Sequence, residues 1–219
     1  MIRINLYQQF RRLFGGEGYT KRIDGLVDDL FGNFVHEEKQ ALLESVWEDG
    51  SFHDSPEGRT VNPGHAIETA WFLLEEAKVR GDTALRDRAA AILDWSLDLG
   101  WDTEYGGLYS FVDVDGYPAH QVEWDMKYWW PHTEALYATL LAYAETGRQP
   151  YWEWFERMAD YSLQHFPDPE HGEWFGYLHR DGSVSLPVKG NDWKGPFHVP
   201  RALFLVWRLL GALSEAPSV

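Results

Sequence analysis

A repeat with a period of 66 residues constrains this chain more than any other feature of it. Glu38, Glu104 and Glu170 stand 66 residues apart, and so do the turn dipeptides Asp49-Gly50, Asp115-Gly116 and Asp181-Gly182. The surrounding segments match loosely as HEEKQALLESVWEDG, DTEYGGLYSFVDVDG and DPEHGEWFGYLHRDG. Each unit reads as a helix, an acidic turn, a hairpin, a loop and a second helix. One such unit cannot bury its own apolar face. Stacked units share a continuous core and carry equivalent loops on one side. Each loop here delivers a histidine to the start of the next helix, at His65, His132 and His198, with spacings of 67 and 66. The repeat therefore predicts three histidines on one rim.

Apolar periodicity predicts helices over residues 2–14, 20–35, 65–80, 83–99, 130–146, 150–165 and 198–213. In NPGHAIETAWFLL (62–74), Ile67, Ala70, Trp71 and Leu74 form the buried stripe. His65 and Glu68 are three apart and share one side of the first turn. Hairpins are expected where an Asp-Gly turn joins Leu42–Trp47 to Ser51–Phe52, Gly107–Val112 to Tyr117, and Glu173–His179 to Ser183–Leu186. With 219 residues the chain is long enough for one domain with a sizeable core, spanning 1–219. Its class is all-α with short β-hairpins in the loops.

Composition removes several functions. A net charge of −16 repels nucleic acid and anionic membranes, so neither is expected as a partner. Without cysteine there is no disulfide frame and no thiolate chemistry. The apolar runs are too short to span a bilayer. Gln8, Gln9, Arg11 and Arg12 interrupt the opening MIRINLYQQFRRLF, which does not read as a signal peptide, and a cytoplasmic location is expected. The 12 tryptophans are unusual. Most serve the core, but rings at a cleft suit the C–H faces of sugars.

Histidine is the side chain best suited to move protons near neutral pH. Two of them facing across a sugar can remove a proton from one face of a carbon and return it to the other. Glu68 can orient an imidazole or bind a hydroxyl. Asp192, Lys194 and Arg201 surround His198 and can steady an enediolate oxygen. The competing reading makes each histidine a capping or core residue, most strongly His132, and makes Glu134 a buried structural carboxylate. There is no HExxH and no tight histidine cluster, and His65-x-x-Glu68 is too little by itself, so no metal is expected. No phosphate-binding glycine motif is present, and no cofactor is expected. Paired carboxylates for glycoside hydrolysis would come from Asp102, Glu104, Asp125 or Glu134. The repeat already accounts for Glu104 as a turn residue.

RTVNPGHAIETAWFLL (59–74), KYWWPHTEALYATL (127–140) and NDWKGPFHVPRALF (191–204) resemble signature segments of the N-acylglucosamine 2-epimerase family, which also includes cellobiose 2-epimerases and mannose-type aldose–ketose isomerases. They occur in the family's order, and the resemblance extends over about residues 20–213. It implies an (α/α)6 barrel with the active site at one mouth. It implies that His65 and His198 are the acid–base pair at C2 of an open-chain sugar. Glu68 would support His65 and ring opening, Trp129 and Trp193 would pack against the sugar, and His132 and Arg201 would help bind it. The implied reaction runs through a cis-enediolate without a redox cofactor. The match looks like the C-terminal part of the family's length, about seven helices of a twelve-helix toroid. Three outcomes are then open: a second copy in a homodimer or a partner chain covers the open side, the half closes on itself with helix 2–14 over part of the gap, or the chain is a fragment of a longer one. Three classes of function follow: a sugar 2-epimerase or related aldose–ketose isomerase, a sugar-binding module without turnover, and an interaction half-barrel that docks on another protein.

Overall fold

The predicted apolar stripes become seven α-helices among residues 1–215, the part of the chain that the computed structural model describes. They are α1 (Ile2–Phe14), α2 (Glu17–Asp29), α3 (Pro63–Arg80), α4 (Thr83–Gly100), α5 (Trp129–Thr146), α6 (Gln149–His165) and α7 (His198–Glu215). A π-helical turn, Leu30–Phe34, extends α2. Helix α3 starts two residues earlier than the stripe alone indicates. Pro63 tolerates the first turn, where its missing N–H has no intrahelical partner, and the Asn62 side chain caps it by accepting the His65 N–H at 3.0 Å.

Helix α3 packs on α1, α4 and α5, and α5 packs on α3, α6 and α7. This makes an inner row α1–α3–α5–α7 backed by α2, α4 and α6, an arc of an (α/α) toroid. The central helices α3 and α5 are buried on nearly every side, Thr69, Thr133 and Thr139 included, so they lack a clear polar face. Helix α7 differs: Leu203, Phe204 and Trp207 are exposed along it. A concave groove of about 540 Å3 lies on the inner face between α1 and α7, lined by Gln8, Arg11, Tyr137, Phe204 and Arg208 among others. No helix among the described residues is long and apolar enough to cross a membrane.

The strands lie in the loops and pair antiparallel: β1 (Val35–His36) with β2 (Ala41–Leu42), β3 (Thr60–Val61) with β4 (Val112–Asp113), and β5 (Lys127–Tyr128) with β6 (Tyr177–Leu178), which continues to β7 (Val184–Leu186). Only the third expected hairpin forms as expected, with β6 and β7 joined at Asp181-Gly182. At Asp49-Gly50 the chain makes a tight turn, Gly50 N–H to Trp47 O at 2.8 Å, with no strands flanking it. At Asp115-Gly116 the turn forms, but β4 pairs with β3 rather than with Tyr117. The reason is topological. The strand leading into each inner helix, β3 or β5, pairs with the strand returning from the following outer helix, β4 or β6. These pairings clamp the loops at one end of the helix pairs.

A buried ion cluster reinforces that end. Asp102, after α4, accepts from Lys127 Nζ at 3.0 Å and from Arg180 Nε at 2.8 Å, and the Asp102 and Lys127 side chains are fully buried. Asp102, a carboxylate considered above for hydrolysis, is thus fully engaged in holding β5 and the β6–β7 turn. Burial alone would raise its pKa, but the hydrogen bonds from Arg180 and Lys127 outweigh it and hold the carboxyl far below the ordinary 3.8. A depressed carboxyl stabilises the fold fully above its ordinary pKa, and that contribution is lost as pH falls below it. An Asp102→Asn variant is expected to melt lower at pH 7 and to show a flatter acid limb below about pH 4. Thermal unfolding followed by circular dichroism from acid to neutral pH reads this directly. Parallel acid limbs in the two proteins would rule the cluster out as their source.

Candidate active site

His65 is the third residue of α3, on the turn that Asn62 caps. Its Nδ1 lies 3.0 Å and 3.2 Å from the two carboxylate oxygens of Glu44, in the loop after β2. A carboxylate only accepts, so Nδ1 carries hydrogen and donates, which leaves Nε2 without a hydrogen-bond partner among the described residues. Burial lowers the imidazole's proton affinity, but the hydrogen bond and charge of Glu44 overcome it, and the pKa stands above the ordinary 6.5.

His198 is the first residue of α7. Its Nδ1 lies 2.7 Å from Glu134 Oε1, which projects from α5. The same carboxylate accepts from Arg201 at 2.6 Å and, through Oε2, from the Trp71 indole N–H at 2.8 Å. Arg201 also donates to Glu68 Oε1 at 2.9 Å. Glu68 and Glu134 are both buried, and burial followed by the charge of Glu134 raises the pKa of Glu68. Arg201 is pulled down by burial but raised on balance by Glu134 and Glu68, so it stays cationic.

Trp130 links the two histidines, with its ring centroid 5.0 Å from that of His65 and 5.7 Å from that of His198. Gly64 makes this possible, because a Cβ there would sit 2.6 Å from the indole ring. The result is a cleft of about 260 Å3 lined by Ile2, His65, Glu68, Trp129, Trp130, Trp193, Phe197 and His198.

Of the residues singled out in the sequence, the structure brings His65, His198, Glu68, Trp129 and Trp193 to this cleft, with Arg201 bonded to Glu68 beside it. Trp129 is nearly buried and forms part of the wall, whereas Trp193 is 85% exposed at the rim. Glu68 turns to Arg201 rather than to His65, and Glu44 takes the place at His65. Lys194 is buried and donates to Glu173 and, at 2.9 Å, to the Lys189 carbonyl, so it does not serve the cleft. Glu68, Glu134 and His198 offer ligand atoms within 4.8 Å of one another, but the Arg201 guanidinium already supplies the positive charge among them. Sequence reasoning missed Glu44, which has no signal in the motif, and passed over Trp130 in favour of Trp129.

His132 is not brought to the cleft. It is fully buried, stacked on Tyr161 and tilted against Phe166. Its Nε2 accepts the Leu108 N–H at 2.9 Å, so Nδ1 carries the hydrogen and donates to the Tyr128 carbonyl at 2.6 Å. Burial pushes its pKa down to about 3, which keeps it neutral. Gly107, at φ 73°, closes over it; a Cβ there would lie 2.5 Å from the Tyr161 ring. His132→Phe is expected to cost about 1–3 kcal/mol by leaving the Leu108 N–H unpaired. Denaturant unfolding measures that loss. A stability equal to that of the parent chain would show that the buried hydrogen bond contributes nothing.

The profile of the N-acylglucosamine 2-epimerase (GlcNAc 2-epimerase) family matches residues 12–199. The chain is 50% identical over 178 residues to the N-acylglucosamine 2-epimerase of Bos taurus, covering 80% of this chain and 42% of that protein. It is 45% identical over 188 residues to that of Homo sapiens, covering 84% and 43%. The chain thus spans less than half the length of these relatives. Its fold matches the cellobiose 2-epimerase of Spirochaeta thermophila with a TM-score of 0.79, over 97% of this chain and 51% of that one at 23% identity. A D-mannose isomerase matches with a TM-score of 0.78, over 94% and 54% at 20% identity. These likenesses show that the chain has the fold of about half of an (α/α)6 barrel. With three motif segments in order and a profile match over most of its length, the chain belongs to the N-acylglucosamine 2-epimerase family.

Proposed function

We propose that this chain carries the proton-transfer site of a sugar 2-epimerase of the N-acylglucosamine type. One observation supports this above all: two histidines, each bonded at Nδ1 to a glutamate, line one cleft and contact the same tryptophan. In the open-chain sugar the C2 hydrogen is acidified by the C1 carbonyl. One Nε2 takes that proton, and the C–H electron pair enters an enediolate. The other Nε2 delivers a proton to the opposite face of C2, which inverts the centre and exchanges the charges of the two imidazoles. Glu68, with its raised pKa, is suited to exchange a proton with a sugar oxygen during ring opening. The buried Trp129 indole N–H has no hydrogen-bond partner among the described residues. At about 260 Å3 the cleft suits one sugar ring rather than a polymer.

The test is proton NMR in deuterium oxide with N-acetylmannosamine, mannose, glucose and cellobiose supplied separately. Loss of the C2 proton signal with N-acetylmannosamine is the expected result. Exchange accompanied by a ketose product would mark an aldose–ketose isomerase. A folded protein that exchanges none of these sugars is not an epimerase for them; a sugar-binding or interaction role would then stand instead.

A further inference from the structure

The two histidine–glutamate pairs are built differently. Glu44 has no hydrogen-bond partner but His65 among the described residues, and both side chains are partly open to solvent, 32% and 38% exposed. Glu134 is buried, and its oxygens already accept from Arg201 and Trp71 as well as His198. The Arg201 guanidinium also stands 3.4 Å from His198 Nδ1. A second positive charge on His198 would therefore face Arg201 at close range, whereas one on His65 would face an otherwise unpartnered carboxylate.

We propose that Glu44 is a positioning residue that orients the His65 imidazole through Nδ1 and keeps the resting proton of the pair on His65. This rests on the epimerase reading only for its consequence, not for its test. The charges around each ring agree with it. His65 faces Glu44 from the loop after β2 and Glu68 from its own helix; Trp130 of α5 is uncharged. His198 faces Glu134 from α5, Arg201 from α7 and Glu68 from α3, and both of those carboxylates are bonded to the one guanidinium, whereas Glu44 is bonded to His65 alone. In the resting site His198 is then the base and His65 the acid. After one inversion the proton sits on His198. The site resets when His198 returns a proton to water and the more exposed His65 regains one.

The experiment is a nitrogen–proton NMR titration of the imidazoles without sugar, with signals assigned from His65→Gln and His198→Gln variants. Glu44→Gln keeps a hydrogen-bond acceptor and removes the charge, and Glu44 lies at the surface, so the fold is retained. In that variant the His65 midpoint is expected to fall by on the order of one pH unit, with His198 unmoved. An unmoved His65 would overturn the proposal. Because no sugar enters the titration, absence of C2 exchange would sink the epimerase reading and leave the proton placement standing. Where exchange occurs, its pH–rate profile should shift in Glu44→Gln along with the His65 midpoint, a change that loss of packing alone would not produce.

Discussion

A His198→Asn variant is expected to exchange the C2 proton roughly 10²- to 10⁴-fold more slowly than the parent chain, the range that a positioned general acid–base contributes. Asparagine suits the test because its side-chain N–H can still donate to Glu134, which otherwise faces Arg201 and Trp71 alone. Loss of rate then reports loss of the proton carrier rather than collapse of the network. His65→Asn should slow inversion at C2 by a comparable factor, since each inversion needs one base and one acid. The double variant should be little slower than either single one, because the two groups act as a unit. Initial rates of exchange and of formation of the inverted sugar by proton NMR decide this. A single variant that inverts C2 at nearly the parent rate would remove that histidine from the chemistry.

The seven helices were legible because each carries an apolar stripe of its own. Their order was legible because the repeat returns every 66 residues. What the repeat does not transmit is rotation about the helix axis. His65 is the third residue of α3, His132 the fourth of α5 and His198 the first of α7. One residue along an α-helix turns a side chain by about 100°. Three histidines on one rim can therefore divide, two at the cleft and one turned inward against Tyr161 and Phe166. The extra residue between His65 and His132, 67 rather than 66, was the trace of this in the sequence. The β3–β4 pairing was illegible for another reason: its partners, Val61 and Val112, lie on either side of two helices, and local turn chemistry describes only neighbours. Glu44 was hidden in the same way. It precedes His65 by 21 residues and reaches it through an irregular loop that has no period.

Arg201 carries the largest stability consequence expected of any residue at the site. It is the shared partner of Glu68 and Glu134, two buried carboxylates that have no other Lys or Arg within hydrogen-bonding distance among the described residues. Arg201→Met fills much of the same space without charge and leaves those carboxylates facing each other in a dry setting. Breaking a buried pair in this way costs about 3–5 kcal/mol. Part of the loss is recovered when Glu68 takes up a proton, because its pKa is raised already and rises further once the guanidinium is gone. A carboxyl whose folded pKa is raised binds its proton more tightly in the folded state. The variant's stability should therefore decline as pH climbs from the ordinary carboxyl value, 4.5, toward the folded one. The prediction is a melting temperature that lies closer to the parent's at pH 5 than at pH 8. Arg201→Lys should fall between the two, since one ammonium supplies the charge but not the fork that bridges both carboxylates. A deficit of the same size at both pH values would show that Arg201 holds this end of the barrel by packing against Trp71 and Phe197, its aromatic neighbours, rather than by charge.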